Sequence, residues 1–208
     1  MGISRQQALE CLMSDDLVGL GMEADAVRRR LHPEGVATYV VENEAQYGPG
    51  SEKIGEWIAA HRAAHGEGKQ TTARMLFGAG ETLEQRVDFL EAARLLQQES
   101  GGFAAFVPVA ARLANGRQLD SITAVERLKM LALSRMFLDN IENLQADGVA
   151  DGIEGLKVLQ TALRFGANDL GAVNANAGRS EEDLRRIIRD AGLRPAERDA
   201  AYRAMMLS

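Results

Sequence analysis

Lys69-Gln-Thr-Thr-Ala-Arg-Met-Leu-Phe-Gly-Ala-Gly-Glu-Thr-Leu-Glu-Gln85 carries the reading of the fold. Lys69 to Phe77 is a strand-like run. Gly78 and Gly80 break it. Thr82 with Gln85 three residues on is a capping box, so a helix starts at once, with Val87, Leu90 and Leu95 turned inward. Strand, glycine turn and capped helix in that order make one βα unit.

The same alternation extends in both directions. Upstream, Val36 to Val41 is a continuous β-former run, the pattern of a strand buried on both faces. Gly48-Pro49-Gly50 is a loop, and Ser51 stands where it can cap a helix carrying Ile54, Trp57, Ile58 and His61. Downstream, Phe103 to Val109 and Ile141 to Ala146 read as strands, and Asn168 to Val173 as a weaker one. Between and after them, Ala124–Leu138 (capped by Thr123), Ile153–Phe165 and Glu181–Ala191 (capped by Ser180) read as helices. Pro195 and a short helix to Met206 close the chain. Ahead of all this, Ser4 with Gln7 caps a first helix, Gly19 and Gly21 interrupt, and Glu23–Leu31 forms a second, stopped by Pro33. The division expected is a helical segment over 1–35 and an α/β domain over 36–208. About five strands alternating with helices imply parallel, right-handed βαβ units. In such sheets ligands sit at the carboxyl ends of the strands. Those ends are read as Glu42-Asn43, Gly78 to Glu81, Pro108, Gln145 to Gly148, and Asn168 to Asn174.

Composition excludes several classes. In 208 residues, 30 acidic against 24 basic side chains leave a net charge of −6, against a general nucleic-acid binder. No apolar run approaches the roughly 20 residues that span a bilayer, and Met1 to Arg5 lacks a secretory leader's apolar stretch. A cytoplasmic protein is expected. Cys11 is the one cysteine, so neither an intrachain disulfide nor a multi-thiolate metal centre can form. It reads as a small buried apolar side chain. His61 and His65 have the spacing of a zincin pair, but Arg62 replaces the glutamate and a structural role fits better. Gly78-Ala-Gly-Glu81 opens a helix without the P-loop pattern, and reads as a turn. Arg28-Arg29-Arg30 reads as a solvated face.

Longer motifs are familiar. Thr72-Ala-Arg-Met-Leu-Phe-Gly78 with Glu81-Thr82 and Arg86-Val87, then Leu96-Gln97 with Gly101-Gly102-Phe103 and Phe106-Val-Pro108, resemble the futalosine-pathway radical SAM enzymes. Arg135-Met-Phe-Leu-Asp-Asn140, Asn143-Leu-Gln145 and Phe165-Gly-Ala-Asn-Asp-Leu-Gly171 continue the likeness in the same order. At the amino end Leu20-Gly21, Ala24-Asp25, Val27-Arg28 and His32-Pro-Glu-Gly35 ahead of Thr38-Tyr39 agree as well. Within that family the motifs resemble those of the dehypoxanthine futalosine cyclase of menaquinone biosynthesis, and next those of aminodeoxyfutalosine synthase and a deazaflavin-forming relative.

The resemblance implies a (βα) barrel, an iron–sulfur cluster, S-adenosylmethionine and a nucleoside-like substrate. The departures are equally informative. The family's C-x3-C-x2-C loop after the first strand is not in this sequence, and roughly three βα units after it are missing. The family's Gly-His-x-Glu reads Gly78-Ala79-Gly80-Glu81, and its Gln-x-Ser-Trp reads Gln145-Ala146-Asp147-Gly148. After Asn168-Asp169 the chain runs to Ala172-Val-Asn-Ala-Asn176 instead of paired glutamates. The expectation is a partial (βα) barrel: an open sheet of about five strands, helices outside, with two exposed edges that invite a second copy or a full-length paralogue. Neither cluster nor S-adenosylmethionine is supported, no metal site is expected, and radical chemistry is not. Glu81, Gln145, Asn168 and Asp169 match family positions and form the candidate pocket for a nucleoside-like molecule. Glu81 and Asp169 are the candidates for catalysis, should a cofactor-independent activity reuse that pocket. A non-catalytic binding or accessory role is the leading expectation.

Overall fold

A computed structural model describes residues 2–41, 53–111, 122–146, 152–172 and 180–205. Two amino-terminal helices, α1 (Arg5–Met13) and α2 (Leu17–Leu31), lead into strand β1 (Val36–Val40). Then come α3 (Ile54–Gly66), β2 (Thr71–Phe77), α4 (Leu83–Ser100), β3 (Phe103–Ala110), α5 (Ala124–Phe137) and β4 (Asn143–Leu144). Helix α6 (Gly152–Ala162), β5 (Asp169–Ala172), α7 (Glu181–Asp190), β6 (Arg194–Arg198) and β7 (Ala204–Met205) complete the order.

The strands form two sheets, β2-β3-β4 and β5-β1-β6-β7. All pairings are parallel except β6 with β7. One parallel bridge, Gln145 to Asp169, joins the sheets. Thus β1, first in the chain, lies beside β5, which comes late in it. Alternation along the strands separates two faces. Ala73, Met75 and Phe77 of β2 and Tyr39 of β1 are buried toward the helices, where Tyr39 donates to Glu181 of α7 at 2.6 Å. Thr38, Thr72, Gln145 and Asp169 share the opposite face, which places them together.

Capping followed local sequence. Ser4, Thr82 and Ser180 each form a capping box, and Thr123 accepts from the Glu126 amide. Trp57 and His61 are fully buried, with Trp57 stacked on Phe103 at 5.5 Å, while Ile54 is exposed. Cys11 is half-buried and packs against the core. No helix among the described residues is long and apolar enough to cross a membrane.

Five expectations need correction. Gly19 and Gly21 do not interrupt a helix but lie inside α2. Leu95 is 54% exposed, and its neighbour Leu96 takes the inward position. Arg28 is buried against Asp25 with Nη2 at 2.7 Å, so only Arg29 and Arg30 of the triplet face solvent. The closing helix is instead the β6–β7 hairpin, which raises the strand count to seven among the described residues and covers the second side of β1. Pro108 lies within β3, short of its end. The expected features at Glu42-Asn43, Gly48-Pro49-Gly50, Ser51, Asp147-Gly148, Val173 to Asn176 and Met206 lie outside the described residues.

Candidate polar site on the sheet face

Asp169 opens β5 with its carboxylate on the face turned from the helices. Oδ2 accepts from the Thr38 hydroxyl at 2.6 Å and from Arg198 Nε at 2.5 Å. Oδ1 accepts from the Gly171 amide at 2.8 Å and from Arg198 Nη2 at 3.2 Å. Four donors thus meet a carboxylate that offers about four acceptor positions. Both partners are out of solvent, Asp169 fully and Arg198 to 5%. Such a buried, two-point ion pair is geometrically fixed, and losing either member strands a charge. With every acceptor position taken, Asp169 in this arrangement has none left for a substrate proton.

Gln145 extends the cluster. Its Oε1 accepts from Tyr202 Oη at 2.8 Å and from Arg198 Nη2 at 3.4 Å. Tyr202 Oη in turn receives the Thr72 hydroxyl at 3.3 Å, and the Arg198 guanidinium lies 3.8 Å from the centre of the Tyr202 ring. Gly171, at φ +69, comes so close that a Cβ there would stand 2.8 Å from Gln145 Nε2. The sequence reading missed Arg198 and Tyr202. Their one signal is a spacing of four, a spacing the reading absorbed into a closing helix.

Asn168 belongs to a different environment. Its Oδ1 accepts from Arg135 Nη2 at 2.7 Å and the Leu144 amide at 2.8 Å, and its Nδ2 donates to Asn143 at 2.9 Å. Arg135, 1% exposed, also donates to the carbonyls of Gly166, Ile141 and Glu142. Burial and the neighbouring Arg28 push its guanidinium down to about 9, so it stays charged at neutral pH. This fan of bonds ties α5 to the turns before β4 and β5. Asn168 and Asp169 therefore precede or open β5, not its carboxyl end.

Glu81 does sit beyond the carboxyl end of β2. Its carboxylate accepts from the amides of Gly78 (2.5 Å) and Ala79 (2.8 Å) and from Arg86 Nε (2.7 Å). Burial raises its pKa, but the Gly78 amide and Arg86 outweigh that and hold the carboxyl below its ordinary value. The loop amides that an external phosphate would need are already bonded to this carboxylate, in keeping with a turn.

Two cavities flank these groups. One of about 550 Å³ is lined by Met75, Leu76, Glu81, Asp88 and Phe89 among others. Another, about 400 Å³, is lined by Thr38, Asn143, Asn168 and Tyr202 among others. Gln145 and Asp169 are paired across the backbone bridge and share Arg198, Asn168 precedes Asp169 in the chain, and Glu81 lines a separate cavity. His61 and His65 both reach Thr71, at 2.8 and 2.9 Å. No group of three metal-ligating side chains occurs among the described residues. The half-buried thiol of Cys11, its pKa raised by burial, lies in α1. These residues do not fit a cluster that needs three thiolates.

Parallel strands with helices packed on one face define an α/β protein. HydG, a maturase of the FeFe-hydrogenase, superimposes with a TM-score of 0.55 at 16% identity, over 84% of this chain and 43% of that one. Residues 100–208 match the family model for the CofH/MqnC C-terminal region. The chain is 36% identical over 168 residues to the 5-amino-6-(D-ribitylamino)uracil–L-tyrosine 4-hydroxyphenyl transferase of Methanothermobacter thermautotrophicus, over 72% of this chain and 45% of that one. It is 34% identical over 163 residues to the cyclic dehypoxanthine futalosine synthase of Streptomyces coelicolor, over 73% and 40%. Aminodeoxyfutalosine synthase of Thermus thermophilus is likewise 34% identical, over 71% and 44%. The chain belongs to the CofH/MqnC family, and it spans about half the length of the curated relatives it matches.

Proposed function

We propose that this chain is a cluster-less relative of the futalosine and CofH radical SAM enzymes, a binding or accessory protein without radical chemistry. Its strands β2-β3-β4-β5-β1 form an arc of a (βα) barrel, with residues 1–35 as a helical cap. The single cysteine carries this reading. Reductive cleavage of S-adenosylmethionine draws an electron from a low-potential cluster held by thiolates, and one thiol in α1 cannot hold it. The acceptor positions of Asp169 are taken by Thr38, Gly171 and Arg198, which speaks against a general base, and a ligand reaches this carboxylate once Arg198 withdraws. The relatives' names point to nucleoside-like and ribityl-bearing compounds, so the ligand class is nucleoside-like, taken by Gln145, Asp169 and their neighbours, with Glu81 at the rim. The outer edge of β2 supports a second copy or a longer paralogue as partner.

Anaerobic reconstitution with iron and sulfide, read by iron counting and EPR, should yield no stoichiometric cluster. A stoichiometric cluster overturns the proposal. A nucleoside panel in a thermal-shift assay should raise the melting temperature, because a ligand held only by the folded state stabilises it.

A further inference from the structure

The hairpin of β6 and β7 puts an arginine and a tyrosine on the polar groups that the proposed ligand would use. Arg198 offers a planar fork of N–H donors to both oxygens of Asp169 and lies over the Tyr202 ring. Tyr202 closes onto Gln145 and Thr72. In shape and donor pattern this pair resembles a stacked, amino-bearing heterocycle. The geometry points to the outer end of the hairpin, Arg198 to Met205, as an internal lid hinged on the part of β6 that stays paired with β1, with Arg198 standing in the position of a planar, donor-rich ligand that enters when that end lifts. This rests on the reading that Gln145 and Asp169 bind a nucleoside-like molecule.

Three observations support a lid over a permanent wall. The β6–β7 ladder is the one antiparallel pairing among the described strands, it pairs two residues on each side, and both residues of β7 are exposed. Tyr202 sits at φ +60, the one non-glycine residue with positive φ among those described, a strained conformation for an aromatic side chain. The turn is held from within itself, by Asp199 accepting from the amides of Ala201 and Arg203. Next to it lies the 400 Å³ cavity, and Ala201, Tyr202, Arg203 and Ala204 form part of its wall. Lifting the outer end of the hairpin therefore frees the polar groups and opens that cavity in one movement.

Two measurements on the full chain test this. In hydrogen–deuterium exchange, the Gly171 amide, bonded to Asp169 beneath Arg198, should exchange about 100-fold or more faster than those of Thr38 and Ala196, through a local opening. Exchange of all three only by global unfolding overturns the lid. Arg198→Ala should lower the melting temperature, and millimolar ethylguanidinium should restore part of the loss while leaving the unaltered protein unmoved. Equal response of both proteins overturns the stand-in role, and if Arg198→Ala fails to fold, the exchange comparison decides alone. Adenosine separates this inference from the function beneath it. Local opening and rescue with no adenosine shift in Arg198→Ala keep the lid and remove the nucleoside reading. An adenosine shift without local opening does the reverse.

Discussion

Gly21 lets the Phe165 ring lie on the backbone of α2, where a Cβ would stand 2.9 Å from the ring. Alanine favours a helix over glycine by about 1 kcal/mol, yet overpacking a tight contact costs about 1–3 kcal/mol. Gly21→Ala should therefore lower the urea midpoint, and adding Phe165→Leu should recover part of the loss. A sequence window cannot see this, because the reason for the glycine lies 144 positions away in Phe165. The same limit hid the burial of Arg28, whose exposure depends on the packing of α2 against α5. Arg135 is the other position where one side chain matters widely. Arg135→Met removes one donor each from Asn168 Oδ1 and three carbonyls, and an unfolding free energy lower by about 3 kcal/mol should follow in a urea titration.

At the level of elements, the contact of α3 with β2 runs through a chain of hydrogen bonds that fixes its own protons. Ser100 Oγ donates to the Leu96 carbonyl at 2.8 Å, so it accepts from His65 Nδ1 at 2.7 Å. His65 Nε2 is then the acceptor for the Thr71 hydroxyl, and Thr71 Oγ1 accepts from His61 Nδ1. The His65 imidazole is neutral in this arrangement, with its proton on Nδ1. Burial pushes the His65 pKa below its ordinary value, so the unfolded chain binds a proton that the folded one refuses. Stability is full above about pH 6.5 and falls as the pH drops below it toward the folded-state pKa. Urea midpoints measured between neutral and mildly acidic pH should show this decline, and His65→Gln should flatten it. Helix starts were legible because a cap is a local bond, as at Ser4, Thr82, Thr123 and Ser180. Strand β6 was not, since Arg194-Pro-Ala-Glu-Arg198 has neither β-formers nor alternation. Its pairing with β1 makes it a strand, and Pro195 is tolerated because β7 reaches only Glu197 and Arg198.

On the scale of the molecule, one backbone bridge, the Asn168 side chain and the Asp169 cluster couple the two sheets. Asp169→Ala removes the carboxylate from a buried guanidinium, a loss of about 3–5 kcal/mol from a domain whose whole stability is of order 5–15 kcal/mol. Calorimetry should show one transition for the unaltered protein and a lower, broader one for the variant. An unchanged transition would mean that the sheets are held together elsewhere. The βα alternation and the family were readable from the sequence because each motif is short and ordered along the chain. The polar cluster was half readable: Gln145 and Asp169 stand in those motifs, while Arg198 and Tyr202 join them only through the hairpin.

Thr71 has a single hydroxyl and serves two imidazoles with it. Inheritance at these three sites should therefore be linked. Among descendants of a common ancestor, serine could replace Thr71 alone, but a lineage that loses the hydroxyl should also exchange His61 and His65. A lineage with valine at this position and both histidines intact would show that the shared hydroxyl is dispensable.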